Sequence, residues 1–94
     1  MNNHLTLDQI RERIRHTATS EEAIELLNTY IAAHPEDDEA LTMRGMRYFS
    51  MGRRADALKD YMAAVRLNPS SKAAMAIRAS YDILNYYNKD LYNP

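Results

Sequence analysis

The chain contains no cysteine. Disulfide stapling, thiol nucleophiles and zinc–thiolate sites are therefore excluded, and packing alone must hold the fold. Glycine and proline are scarce, at two and three residues in 94, which is few for a chain of short strands and turns. Long hydrophobic runs are missing too. Stretches such as Tyr61-Met62-Ala63-Ala64-Val65 are only five residues long, whereas a membrane-crossing helix needs about 20. Nor is there an excess of one charge. A net charge of −1 and a pI near 6.3 argue against a general nucleic-acid binder, which gathers basic residues against phosphates. Residues 1–8 lack the basic and apolar segments of a signal peptide, so a cytoplasmic protein is the expectation.

What is present is ordinary for a globular domain, with 46% hydrophobic and 27% charged residues. A single domain over residues 1–94 is the expectation, and its core is marginal: a chain of this size buries only about 60–65% of its unfolded surface. The charge is unevenly placed, however. Residues 1–40 carry nine acids and three arginines, for −6, and residues 41–94 carry four acids and nine basic residues, for +5. Solvated helix faces explain this, and so does a dipolar molecule that associates acidic end to basic end.

Apolar residues recur at helical spacing almost throughout. Leu7, Ile10 and Ile14 form one stripe, and Ala23, Leu27, Tyr30 and Ile31 another. Leu58, Tyr61, Met62 and Val65 form a third, and Met75, Ala79, Ile83 and Tyr86 a fourth. Breakers fall between them. Thr19 with Glu22 reads as a capping box, and Pro35 and Pro69 each stop a helix. Glu36 to Glu39 place four acids at the positive end of the following helix. Gly52 suits a left-handed C-terminal turn, and Ser70 or Ser71 can cap a last helix. Five helices are predicted, over 5–16, 20–33, 37–51, 54–67 and 71–88.

Pro35 and Pro69 lie 34 residues apart, the period of a stacked helix–turn–helix repeat. The same offset pairs Ala23 with Ala57, Ile24 with Leu58 and Ile31 with Val65. It also aligns Leu7, Leu41 and Met75, and Ala40 with Ala74. Leu41, Arg44, Gly45 and Tyr48, followed by Ala57, Tyr61, Ala64 and Pro69, resemble one tetratricopeptide repeat over residues 38–71. Leu41 replaces the usual tryptophan, Arg44 a leucine and Tyr61 a phenylalanine. Residues 4–37 resemble a degenerate repeat with Arg11 at the tight glycine position and Ala18 in place of Gly52. Residues 72–94 supply a final helix and a tail. The resemblance implies an all-α, right-handed superhelix of about five antiparallel helices.

It also implies a non-catalytic interaction module whose first helices line a concave groove for a peptide or helix of a partner protein. By register, the groove residues singled out are Glu12, Thr42, Met43, Met46, Phe49, Ala73, Ile77, Ser80, Ile83 and Leu84. Family members that clamp the acidic tails of heat-shock chaperones use basic and amide residues at five positions. Here those positions hold Asp8, Glu12, Met43, Ala73 and Ile77, so a carboxylate would find no donors. Apolar side chains suit the groove better, although methionine and aliphatic stripes also simply pack helix on helix.

The C-terminal end is aromatic, with four of the seven tyrosines falling within residues 81–92. The tail can cap the last helix, pair with a second copy through Tyr86, Tyr87, Leu91 and Tyr92, or form the recognition surface itself. A homodimer through this end, with no foreign ligand, is the rival reading. No catalytic or metal-binding constellation stands out, and no cofactor is implied: His4, His16 and His34 share no ligand spacing, and no glycine-rich phosphate loop occurs. The carboxylate pairs Glu21/Glu25 and Asp56/Asp60 are expected on polar faces. Arg44 and Arg78, one repeat apart, either reach nearby acids or contact a partner carboxylate together. A basic strip of Arg44, Arg47, Arg53, Arg54 and Arg66 is offset by the acids at 36–39, so no nucleic-acid partner is expected.

Overall fold

The computed structural model describes residues 5–81, which are all-helical with no strand among them. The helices are α1 (Leu7–Arg15), α2 (Ser20–Ala33), α3 (Asp38–Ser50) and α4 (Arg54–Leu67), and residues 73–81 form a fifth, α5. The expected bounds of α2 and α4 are met. Helix α1 is shorter than expected because Thr6 starts it. Its hydroxyl accepts the Gln9 N–H at 3.2 Å, and the Gln9 side chain accepts the Thr6 N–H at 2.8 Å, a complete capping box. At α2 the box is only half made: Thr19 Oγ1 accepts the Glu22 N–H at 3.2 Å, but the return bond is absent.

Each remaining end has a local cause. Of the four acids before α3, Asp37 is the cap, since one of its oxygens accepts from the Glu39 and Ala40 N–H groups. Its other oxygen accepts a hydrogen bond from the Tyr30 hydroxyl at 2.7 Å, tying α2 to the start of α3. Helix α3 ends in a left-handed turn at Gly52, with φ at +82°. The Gly52 N–H donates to Phe49 O and the Arg53 N–H to Tyr48 O at 3.0 and 2.9 Å, which satisfies two terminal carbonyls. His34 closes α2 by placing Nδ1 3.1 Å from Tyr30 O, its ring stacked on that of Tyr30 with centroids 4.2 Å apart. Ser71 Oγ accepts the Ala73 N–H as α5 begins.

Small residues let the helices approach. Ala23, Ala40, Ala57, Ala64 and Ala73 are fully buried, together with Leu27. A close approach joins α3 and α4, where Gly45 meets the Tyr61 ring and the Ala57 carbonyl; a Cβ there would stand 2.6 Å from Tyr61 Cε1. Tyr61 is buried in turn. One repeat earlier, Arg11 occupies the glycine position. Its guanidinium is lifted toward the surface, where it pairs with Asp8 and with Glu39 of α3.

Asp60 corrects the expectation of a polar face. It is 6% exposed and held by Arg44 through two bonds of 2.8 Å, from Nε and Nη2. Arg44 Nη1 also donates to Asn28 Oδ1 at 2.9 Å. One guanidinium thus joins α2, α3 and α4. The carboxylate raises the Arg44 pKa further above its ordinary value, against the opposing effect of burial.

Candidate partner-binding site

A cleft of about 410 Å³ runs along α3, between the turn that follows α4 and the Arg11 side chain of α1. Its apolar floor is Met43 and Met46; Met46 is 58% exposed and Met43 half-buried. One rim carries Asp38 and Glu39, and the other carries Asn68, Ser70, Ser71 and Lys72. The rims are tied together: Asn68 Nδ2 donates to Asp38 Oδ2 at 3.3 Å, and the Thr42 and Ser71 hydroxyls lie 3.2 Å apart. The walls are thus fixed before any ligand arrives, which lowers the ordering cost of binding.

The predicted site residues divide into groups. Met43, Met46 and Thr42 line this cleft together. Thr42 is nevertheless buried, its hydroxyl donating to Asp38 O at 2.8 Å, so it shapes the wall rather than presenting a side chain. Ala73 and Ser80 are likewise buried, with the Ser80 hydroxyl donating to Ala76 O. These two face the body of the protein, a correction to their assignment as displayed groove residues. Phe49 and Ile77 are half-buried and packed against the core. Arg54 lies over the Phe49 ring at 5.7 Å.

Glu12 is not brought to α3. It lines a separate cleft of about 520 Å³ between α1 and α2, with Arg13, His16, Glu22, Glu25 and Leu26, and it pairs with Arg15 and His16. Ile83, Leu84, Tyr86, Tyr87, Leu91 and Tyr92 lie outside the described residues.

Sequence reasoning missed Arg11, Asn68 and Lys72 as wall residues, because it carried over helix faces and ignored the inter-repeat turn. That turn was marked by Pro69 and its neighbouring serines. The proposed basic strip is not a free one. Arg44 is held by Asp60, and Arg53 is held by Asp56 at 2.7 Å and stacked over Tyr48 at 4.7 Å. Among the described residues no group of three possible metal ligands occurs, and no helix is long and apolar enough to cross a membrane.

Stacked helices, with a tight glycine between α3 and α4, define the class: a helical-repeat protein. Residues 38–71, about a third of the chain, match the model of the tetratricopeptide repeat. Helices α3 and α4 are therefore similar to one such repeat, of a family whose repeats are generally non-catalytic and bind proteins. Comparison with curated proteins and with solved structures gives no significant match.

Proposed function

We propose that the chain is a non-catalytic interaction module that holds an apolar side chain of a partner peptide or helix in the α3 cleft. The observation that carries this reading is Met46: an exposed thioether in a walled cleft, on the inner helix of the matched repeat. Methionine adapts to the shape of an apolar guest and gains contact area on covering it. The lining charges balance, Arg11 and Lys72 with Asp38 and Glu39, and so select an uncharged anchor. A carboxylate clamp is excluded from the proposal, because Met43, Ala73 and Ile77 replace its donors. The remaining domain assignment, a degenerate repeat over 4–37 and a final helix with its tail over 72–94, belongs to the same proposal.

Panning a displayed peptide library on the chain tests it. Enriched peptides should share an aliphatic or aromatic anchor, and Met46→Glu should weaken them about tenfold or more without changing stability, since an exposed position contributes little to folding. Peptides that bind Met46→Glu as well as the parent would refute it. The rival, a homodimer through the C-terminal end, is separated by light scattering: a monomer over a hundred-fold concentration range excludes it.

A further inference from the structure

The cleft between α1 and α2 is acidic. Leu26, half-buried, gives it an apolar patch, and Glu12, Glu22 and Glu25 outnumber Arg13 and His16 around it. Glu12 is already engaged by Arg15 and His16. Glu22 and Glu25 are exposed and form no ion pair among the described residues. The occupant that suits this cleft brings positive charge beside an apolar side chain. Residues 1–4 and 82–94 do not supply it, since their charged side chains are Lys89, Asp82 and Asp90, a net −1. Helix α4 does. Its Lys59, Met62 and Arg66 are spaced by three and four residues and so share one side of the helix. Met62 is 43% exposed, with Lys59 and Arg66 exposed on either side of it. Neither cation forms an ion pair among the described residues. Lys59 lies 34 residues after Glu25, so the charge is reversed at one position of the repeat register.

We propose that the α1–α2 cleft seats α4 of a second copy of this chain, with Met62 against Leu26 and with Lys59 and Arg66 meeting Glu22 and Glu25. The two cations are seven residues apart, about 10 Å along the helix, so Met62 enters between them. The faces do not meet within one copy, because α2 and α4 each pack on α3 rather than on one another. The contact is therefore heterologous. Each copy gives its cleft to one neighbour and its α4 to another, and association continues until a ring closes or the chain of copies ends. Neither the α3 cleft nor residues 82–94 take part. The proposal thus fails separately from the reading above and from a dimer through the C-terminal end.

Sedimentation velocity of the full chain tests it. In about 20 mM salt the average mass should rise with chain concentration, and in about 0.5 M salt it should fall back to the monomer, because exposed charges are screened. Lys59→Glu with Arg66→Glu should weaken association about tenfold or more, and so should Glu22→Gln with Glu25→Lys. An equal mixture of the two variants should regain association, since one keeps the acidic cleft and the other the basic stripe. Circular dichroism should show both variants as helical as the parent, these being exposed positions. With methyl-labelled methionines, the Met62 signal should move with chain concentration while that of Met46 stays in place. Three results would overturn the proposal: a chain that stays monomeric in low salt, association that neither variant weakens, or a mixture of folded variants that stays monomeric. A monomer whose cleft binds a lysine-rich helical peptide would also overturn it, giving the seat to a foreign partner.

Discussion

Replacing Gly45 with alanine pits two effects of known sign against each other. In an open helix the change stabilises by about 0.5–1 kcal/mol, because alanine loses less backbone entropy. Here the new methyl would stand 2.6 and 2.8 Å from Tyr61 Cε1 and Cδ1, and 3.2 Å from the Ala57 carbonyl oxygen. The ring has little room to swing, since Tyr61 is 3% exposed, and the carbonyl belongs to the α4 backbone. Helices α3 and α4 must therefore separate. Overpacking of this kind costs about 1–3 kcal/mol, so the net change expected is a loss of about 1–2 kcal/mol, or about 5–15 °C in Tm. Urea and thermal denaturation followed by circular dichroism read it out. The control is a double-mutant cycle: Tyr61→Leu frees the space, so Gly45→Ala should be neutral or stabilising in that background, with a coupling of about 1 kcal/mol or more. A Gly45→Ala variant more stable than the parent would refute the close approach on which the α3–α4 pairing depends.

Asp60→Ala should destabilise by about 3 kcal/mol, because it leaves a half-buried guanidinium without its carboxylate. The pair Arg44→Leu with Asp60→Leu should lose less than either single change in denaturant melts, since neither charge is then stranded. Gly52→Ala meets no neighbouring atom, so its expected loss of about 1–2 kcal/mol is entirely the strain of a left-handed residue with a side chain; Gly52→Asn should lose less. Burial, with the bond to Asp37 second, pushes the Tyr30 hydroxyl from its ordinary 10 up to about 12. The unfolded chain ionises first, so this contribution is intact below pH 10 and is lost progressively between pH 10 and about 12. Ultraviolet titration of tyrosinate should show a late-ionising group that Tyr30→Phe removes.

Much of the fold was legible because repeats write the same constraints twice. The 34-residue offset located the matched repeat and both of its helices, and Gly52 marked its own turn through the conformation only glycine adopts readily. The misreadings came from polar residues. Asp60 follows Asp56 by one helical turn, which reads as a solvated pair. Its burial depends on Arg44, 16 residues earlier, and no local pattern announces such a contact. Thr6 with Gln9 has the same capping-box spacing as Thr19 with Glu22, a signal that the expected start at residue 5 does not use. The site was legible in its floor, Met43 and Met46, and not in its walls. Thr42 and Ser80 share the spacing of groove residues, and only packing shows that their hydroxyls turn to the backbone within their own helix.

If α3 displays its cleft face to a partner, as proposed, the six methionines of the chain supply the probes that report it. The measurement is the methyl spectrum of methionine-labelled protein titrated with the tightest library-selected peptide. Met46 and Met43 should shift together and saturate in the low- to mid-micromolar range, while Met62 on α4 stays fixed. Movement of Met62 with Met46 unmoved would place the binding surface on the other helix of the repeat and contradict the account.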